Sequence, residues 1–355
     1  MRTLFQWLLT AILAVVLSDN ILGFLLFPLA DNQKALDTDY YRCLQPGQEQ
    51  STEDPEVFYN IGADSMRCSR PDLWETRKFR ALLVGCSFSF GVGVKDEDTY
   101  AYRFNAKGGD ILLDNAAVGG FGPYRSYLRL RRYIDSHPYD MVIYAYIQDH
   151  ANRGSMPKTR IEENWDNRFL EKGHRVSTVT GMPYTELGDG FRFVDHPLRR
   201  WYWPGDGISP LVNLLEHYAF TWNVRRAHVP SEKEQWIIFA NQVGRMAELA
   251  RGRGCPMLLM RLDFMESPER QLVTPSVTMF RNTIGRPFRQ TDLVRGDARN
   301  HPGSAVHRVW ADNLYSYLNS PAIQALLQRN REHRQRLRQA ERDKWQAGWQ
   351  VGNKR

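Results

Sequence analysis

Most of the signatures that announce a common function are missing from this chain of 355 residues. It has only four cysteines, and no Cys and His spacing suited to zinc, so a metal-built fold is excluded. No Gly-Lys-Ser/Thr ending closes a phosphate-cradling loop, and no Gly-x-Gly-x-x-Gly turn is present to hold a dinucleotide. Aromatic and basic residues do not interleave as they do on RNA-binding surfaces, and no internal repeat occurs. The net charge of +7 comes from 47 Lys and Arg against 40 Asp and Glu. Much of the basic side falls late, in Arg329, Arg331, Arg334, Arg336, Arg338 and Arg342, which makes it a property of the tail and argues against nucleic acid as a partner.

What is present is enough apolar material for a full core, with 42% hydrophobic and 12% aromatic residues. The most biased stretch is the first: it runs apolar from Leu4 to Leu17 and again from Ile21 to Ala30, around Ser18, Asp19 and Asn20. A bilayer core needs about 20 predominantly apolar residues. Residues 1–30 therefore predict an N-terminal transmembrane signal anchor. No small-x-small site follows cleanly, because Pro28 spoils the best candidate before Asp31, and this favours an uncleaved anchor over a cleaved signal peptide. Arg2 precedes the segment, while Asp31, Asp37 and Asp39 follow it with only Lys34, so the positive-inside rule exports the body. The expected location is the inner (cytoplasmic) membrane, single-pass, with the body on the periplasmic side. In an exported domain Cys43 and Cys68 can form a disulfide, although pairing does not follow from sequence alone; Cys86 and Cys255, beside apolar runs, read as buried thiols.

Residues 31–79, with segments rich in Pro and Gln, read as an exported linker or extension, and residues 80–320 as one α/β domain. Strands are predicted at Ala81 to Val84, Ile111 to Asp114, Met141 to Tyr146 and Met257 to Leu262. Helices are predicted over Thr99 to Ala106, Tyr124 to Ser136, from the cap Ser231 to Gly252, and over Ser304 to Leu318. The alternation implies a parallel sheet. Between 154 and 230 the periodicity fails and aromatics crowd, as at Trp201, Tyr202 and Trp203, which marks an insertion or lid. In a strand those three cannot all face one way, so at least one is structural. Residues 321–355 form a basic helical tail, which could contact anionic lipid or polymer.

The chemistry is expected just after the first of those strands, where Gly85, Cys86, Ser87, Phe88, Ser89, Phe90, Gly91, Val92 and Gly93 form a turn rich in hydroxyls and glycine. This block resembles the first motif of the SGNH (GDSL-like) esterase and acyltransferase superfamily, with Ser87 in the nucleophile's place and Cys86 where the family carries Asp. Asn115 to Gly120 resembles the second block, in which Gly120 would give its backbone N–H to an oxyanion, as a residue without a Cβ can. After the third strand, Gln148 stands where the family has Asn; its amide offers the same donor on a longer side chain. Asp149, His150 and Arg153 read as a local cluster at that strand end, though they could face the substrate. His301, Pro302 and Gly303 resemble the block that supplies the base. The family's Asp-x-x-His spacing would put Ala298 behind it, so either Asp297 orients His301 through a bulged loop or another group does. His307 reads as a structural helix residue.

The resemblance spans about Arg80 to Leu314 and implies a three-layer α/β/α, flavodoxin-like SGNH fold. It implies a serine esterase, acyl hydrolase or O-acyltransferase that acts on acyl, including acetyl, esters of envelope glycans. The implied catalytic set is Ser87, His301 and Asp297, with Ser87, Gly120 and Gln148 as oxyanion donors, and neither metal nor organic cofactor is required. The partner would be an acylated small molecule or polysaccharide. The rival reading is a non-catalytic SGNH-like domain that binds glycan or partner proteins in an envelope assembly.

Overall fold

In the computed structural model the described residues are 2–26, 46–51, 54–69, 71–73, 77–155, 179–180, 184–188, 192–196, 200–201, 230–264 and 277–352. Cys43, and with it the pairing to Cys68, lies outside them, as do Tyr202, Trp203 and most of the 154–230 insertion. The chain divides into two compact units, residues 1–43 with 152–238 and residues 44–151 with 239–355.

The first unit begins with α1 (Arg2–Leu26). No helix among the described residues is long and apolar enough to cross a membrane, so the anchor expected over 1–30 finds no support.

The second unit carries the main sheet, and the strand pairs within 154–230 belong to the first. A hairpin of β1 (Gly47–Gln50) and β2 (Phe58–Ile61) leads to β3 (Phe79–Val84), and the short helix α2 (Ser87–Phe90) follows at once. Next come α3 (Tyr100–Ala106), β4 (Ile111–Asn115), α4 (Pro123–Tyr133), β5 (Met141–Tyr146) and α5 (Asp149–Ser155), the last running into the other unit. Within 154–230 the described pieces are two antiparallel pairs: β6 (Val179–Thr180) with β9 (Arg200–Trp201), and β7 (Tyr184–Gly188) with β8 (Arg192–His196). Then follow α6 (Glu232–Gly252), β10 (Met257–Arg261), β11 (Val277–Arg281), α7 (Ser304–Leu318) and α8 (Pro321–Gly352). The Ser231 cap is present: its hydroxyl and its N–H both meet the Glu234 carboxylate, at 2.7 Å.

β3, β4, β5, β10 and β11 form one parallel sheet in the order β11-β10-β5-β3-β4. Their apolar runs, buried on both faces along β4, β5 and β10, are what a covered parallel sheet requires. One face packs Ala81, Leu83, Leu113 and Ile143 against Tyr100 and Phe104 of α3 and Trp310 and Leu314 of α7. The other face presents Tyr144 and Tyr146 to Phe239 of α6, with ring centroids at 6.2 and 5.4 Å. This is the doubly wound flavodoxin-like order, whose reversal point lies between β3 and β5. The edge strand β11 escaped prediction because Val-Thr-Met-Phe-Arg is half-exposed and carries no apolar run. The tail is tied in through its first turns, where Ile323 and Leu327 join the core and Arg334 pairs with Asp140 and donates to the Tyr139 carbonyl at 2.6 Å.

Within the stretch 31–79, residues 47–69 pack onto the turn that follows α2. Val57, Tyr59 and Ile61 form an apolar cluster with Phe90, Ala117, Val118 and Phe121. Beneath it Arg67, fully buried, donates through Nε to Asp96 Oδ1 at 2.7 Å and through its other nitrogens to the carbonyls of Phe90, Gly91 and Val94. The second Asp96 oxygen accepts from the Asn60 N–H at 3.0 Å and its side-chain amide at 2.7 Å. Removing one partner of such a pair strands a buried charge, which costs about 3–5 kcal/mol. Arg67→Ala is therefore expected to destabilise the protein by that amount in urea unfolding followed by circular dichroism; a loss under about 1 kcal/mol would contradict this.

Candidate active site

The carboxyl ends of β3, β4 and β5 lie side by side, so the residues just after them share one edge of the sheet at strand spacing, about 4.8 Å. Ser87 follows β3, Gly120 follows β4 and Gln148 follows β5. Ser87 opens α2, and its Oγ makes no hydrogen bond among the described residues. The N–H groups of Ser87 and Gly120 likewise have no partner among the described residues. Gly120 adopts φ +76°, and the space a Cβ would occupy is open. Two backbone donors thus stand unpaired on adjacent strand ends, an arrangement that can accept a developing negative oxygen.

The turn around Ser87 is pinned by close approaches that need glycine. A Cβ on Gly85 would lie 2.9 Å from both the Ala145 carbonyl and Ser89 Oγ. Gly91, at φ +84°, sits against Arg67 and Thr99, and Gly93, at φ +71°, against Val294. Asn115 binds across this turn: its Nδ2 donates to the Ser89 carbonyl at 2.9 Å and its Oδ1 accepts from the Ala117 N–H at 3.2 Å. Cys86, in the place where an Asp was expected, is buried and gives no side-chain cap to α2. Cys255 is buried as well.

The histidine loop closes on itself between Asp292 and Gly303, with Val294 N–H donating to His301 O at 2.8 Å and Gly303 N–H to Asp292 O at 2.7 Å. Asp297 stands directly behind the imidazole: its Oδ2 lies 2.7 Å from His301 Nδ1 and also accepts the His301 N–H at 2.6 Å, while Oδ1 accepts the Arg299 N–H at 2.9 Å. The extra residue relative to Asp-x-x-His is absorbed by Asn300, which takes the left-handed conformation at φ +57°. Burial opposes charge on Asp297, but the two N–H bonds and the imidazole outweigh it and hold its carboxyl below the ordinary value. The His301 ring packs edge-on to Phe88, the residue after Ser87, at 6.0 Å between centroids.

Gln148 is held differently from the way its side chain alone suggests. Its backbone N–H donates to Asp263 Oδ2 at 2.6 Å, and its amide oxygen is buried with no hydrogen-bond partner among the described residues. His150 is buried, with Nδ1 2.7 Å from Tyr144 Oη, which places its ring inside the fold. His307 is structural: its Nδ1 accepts from the Tyr100 N–H at 3.1 Å, and burial with nearby Arg67 and Arg103 pushes its pKa down to about 3. Arg67 and Asp263 support the site without any motif having revealed them, whereas the motif block named Asn115 without showing what it binds.

No family model and no curated protein matches the chain. Among solved structures it is similar to TesA, at 14% identity with 68% of this chain and 98% of that one covered and a TM-score of 0.34. It is also similar to a lipolytic protein of the G-D-S-L family from Desulfitobacterium hafniense, at 11% identity, 67% and 98% coverage and a TM-score of 0.35. A third is a two-domain esterase active on acetylated mannans, at 12% identity, 68% and 49% coverage and a TM-score of 0.35. Of these neighbours, one is described as a lipolytic protein of the G-D-S-L family and one as an esterase. At TM-scores this low the likeness by itself identifies no activity in this chain.

Because the Asp297 carboxyl is depressed, its contribution to stability is present above the unfolded value of about 3.9 and is lost as pH falls through the lower folded value. Thermal unfolding between pH 6 and pH 2, a range of about four units spanning both values, should narrow the gap between the parent and Asp297→Asn as the pH drops. A gap that stays constant would contradict the pair.

Proposed function

We propose that this protein is a serine esterase or acyl hydrolase of the SGNH type, with O-acyl transfer as the variant reaction. The observation that carries the reading is the 2.7 Å bond from His301 Nδ1 to Asp297, which leaves Nε2 as the basic nitrogen of an oriented imidazole. In the proposed reaction Ser87 Oγ attacks the ester carbonyl carbon as its proton passes to His301 Nε2. The carbonyl electron pair moves onto oxygen, which the N–H groups of Ser87 and Gly120 and the Gln148 amide stabilise. Collapse expels the alcohol, which takes the proton from Nε2 and leaves an acyl group on Ser87. Water, deprotonated by the same nitrogen, then releases the acid; a sugar hydroxyl in its place completes transfer.

The substrate class we propose is an acyl, including acetyl, ester of an envelope glycan. Support comes from the motif resemblance and from the aromatic-rich sequence of residues 154–230, whose rings suit sugar faces. The location we propose is the inner membrane with the body on the periplasmic side, supported by the amino-terminal charge bias. Fractionation and protease accessibility of the full chain test it: membrane-bound, externally cleaved protein is expected, and protein recovered wholly in the soluble cytoplasmic fraction would refute the location.

Ser87 Oγ makes no hydrogen bond to His301 among the described residues, and this favours a second reading, a non-catalytic domain that binds glycan or partner proteins. Free enzymes also often show such contacts long, tightening only with substrate. Hydrolysis of a short-chain nitrophenyl ester by the full chain separates the two. We expect Ser87→Ala to lower kcat by about 10³-fold or more and Asp297→Asn by about 10²–10⁴-fold. Equal, negligible rates in parent and Ser87→Ala across ester and acylated-glycan substrates, with glycan binding retained, would favour the binding domain.

A further inference from the structure

We propose that Asp263 is a positioning residue that sets the reach of the Gln148 amide toward the oxyanion. The inference rests on the ester-cleaving reading above. β5 and β10 are parallel neighbours in register from Met257 with Val142 to Arg261 with Tyr146. The ladder continues one step further, where Leu262 N–H donates to Tyr146 O at 3.0 Å. Beyond that step the next N–H on the β5 side is taken by a carboxylate: Gln148 N–H donates to Asp263 Oδ2 at 2.6 Å. The other oxygen, Oδ1, accepts from Arg261 Nε at 2.8 Å, and both side chains are largely buried. Asp263 is therefore fixed by an ion pair on its own strand end and in turn fixes the first residue pair of the β5 turn.

The stereochemical need for such a hold comes from the length of glutamine. Gln148 has one methylene more than the asparagine that would fill this position, so its amide reaches the same point only if the backbone stands further back. A carboxylate acceptor, longer-reaching than a strand carbonyl and charge-assisted, anchors the Gln148 N–H from the β10 side. Among the described residues the buried Gln148 amide oxygen has no hydrogen-bond partner, so there the side chain's orientation is set by its backbone and packing.

The test is a double-mutant cycle on the full chain, read with a nitrophenyl ester and with amide hydrogen exchange. Asp263→Ala should lower kcat by about 10-fold with KM changed less than about twofold, and Asp263→Asn, which keeps an acceptor, should restore most of the loss. In a Gln148→Ala background Asp263→Ala should change kcat less than about twofold, because the two act as one unit. Exchange of the Gln148 backbone amide should speed up by about 10-fold or more in Asp263→Ala. Should stranding Arg261 unfold that variant, Asp263→Ala with Arg261→Met carries the same readouts. Full additivity in the cycle, or an unchanged Gln148 exchange rate, overturns the positioning role. Equal rates in the parent and Ser87→Ala would instead overturn the reaction and leave the exchange result to decide the hold on Gln148.

Discussion

The sheet edge that carries the candidate site depends on one buried guanidinium. The turn after α2 must bring the chain from the edge that holds Ser87 back to α3, and in doing so it points the carbonyls of Phe90, Gly91 and Val94 at the Arg67 guanidinium. Arg67 satisfies all three and is itself neutralised by Asp96, at 2.7 Å. Burial lowers the guanidinium pKa and Asp96 opposes the shift, so the charge stays inside the fold. The rings of Tyr59 and Phe90 cover the same group at 4.5 and 4.8 Å, adding attraction to the cation. The strand pair that brings Arg67 here is thereby part of the site's foundation.

From that anchor the rest follows by close packing. Gly93 takes a left-handed conformation and lets Val294 pack on the turn, while Val294 N–H holds the His301 carbonyl. The Ser87 turn and the histidine loop, about two hundred residues apart in sequence, are thus braced by Val294 together with the Phe88–His301 ring contact. His307 and Trp310 of α7 contribute from below: the first accepts the Tyr100 N–H and the second stacks near Phe88 at 6.3 Å. A neutral, buried His307 belongs to this scaffold, whereas His301, backed by a carboxylate, has the surroundings of a base.

Asp297 illustrates how loop geometry overrides motif spacing. A strict three-residue interval would leave Ala298 behind the imidazole, with nothing to accept from Nδ1. One residue in the left-handed region, Asn300, shortens the path so that the carboxylate four positions back meets both the backbone N–H and the ring of His301. Asparagine tolerates that conformation better than most residues, because its short polar side chain can bond locally. The spacing departs from the motif the segment resembles, yet a carboxylate still meets the imidazole.

The parallel sheet and its helices were legible from local signals: continuous apolar runs for β3, β4, β5 and β10, and helical periodicity for α3, α6 and α7, with the Ser231 cap opening α6. The places of Ser87, Gly120 and Gln148 after strands and of His301 before a helix were legible too, because each adjoins an element whose type its own sequence sets. The edge strand β11 was not, since an edge needs only half its residues buried and shows no run. Nor were Arg67 and Asp263, whose partners lie 29 and 115 residues away. By itself the sequence determined which residues end which strands, because side-chain period and strand composition are local properties. Only the tertiary structure decided what stands behind His301, what holds Gln148 and what fills the turn beneath Ser87, because hydrogen bonds between distant segments depend on where the chain returns and leave no periodic trace.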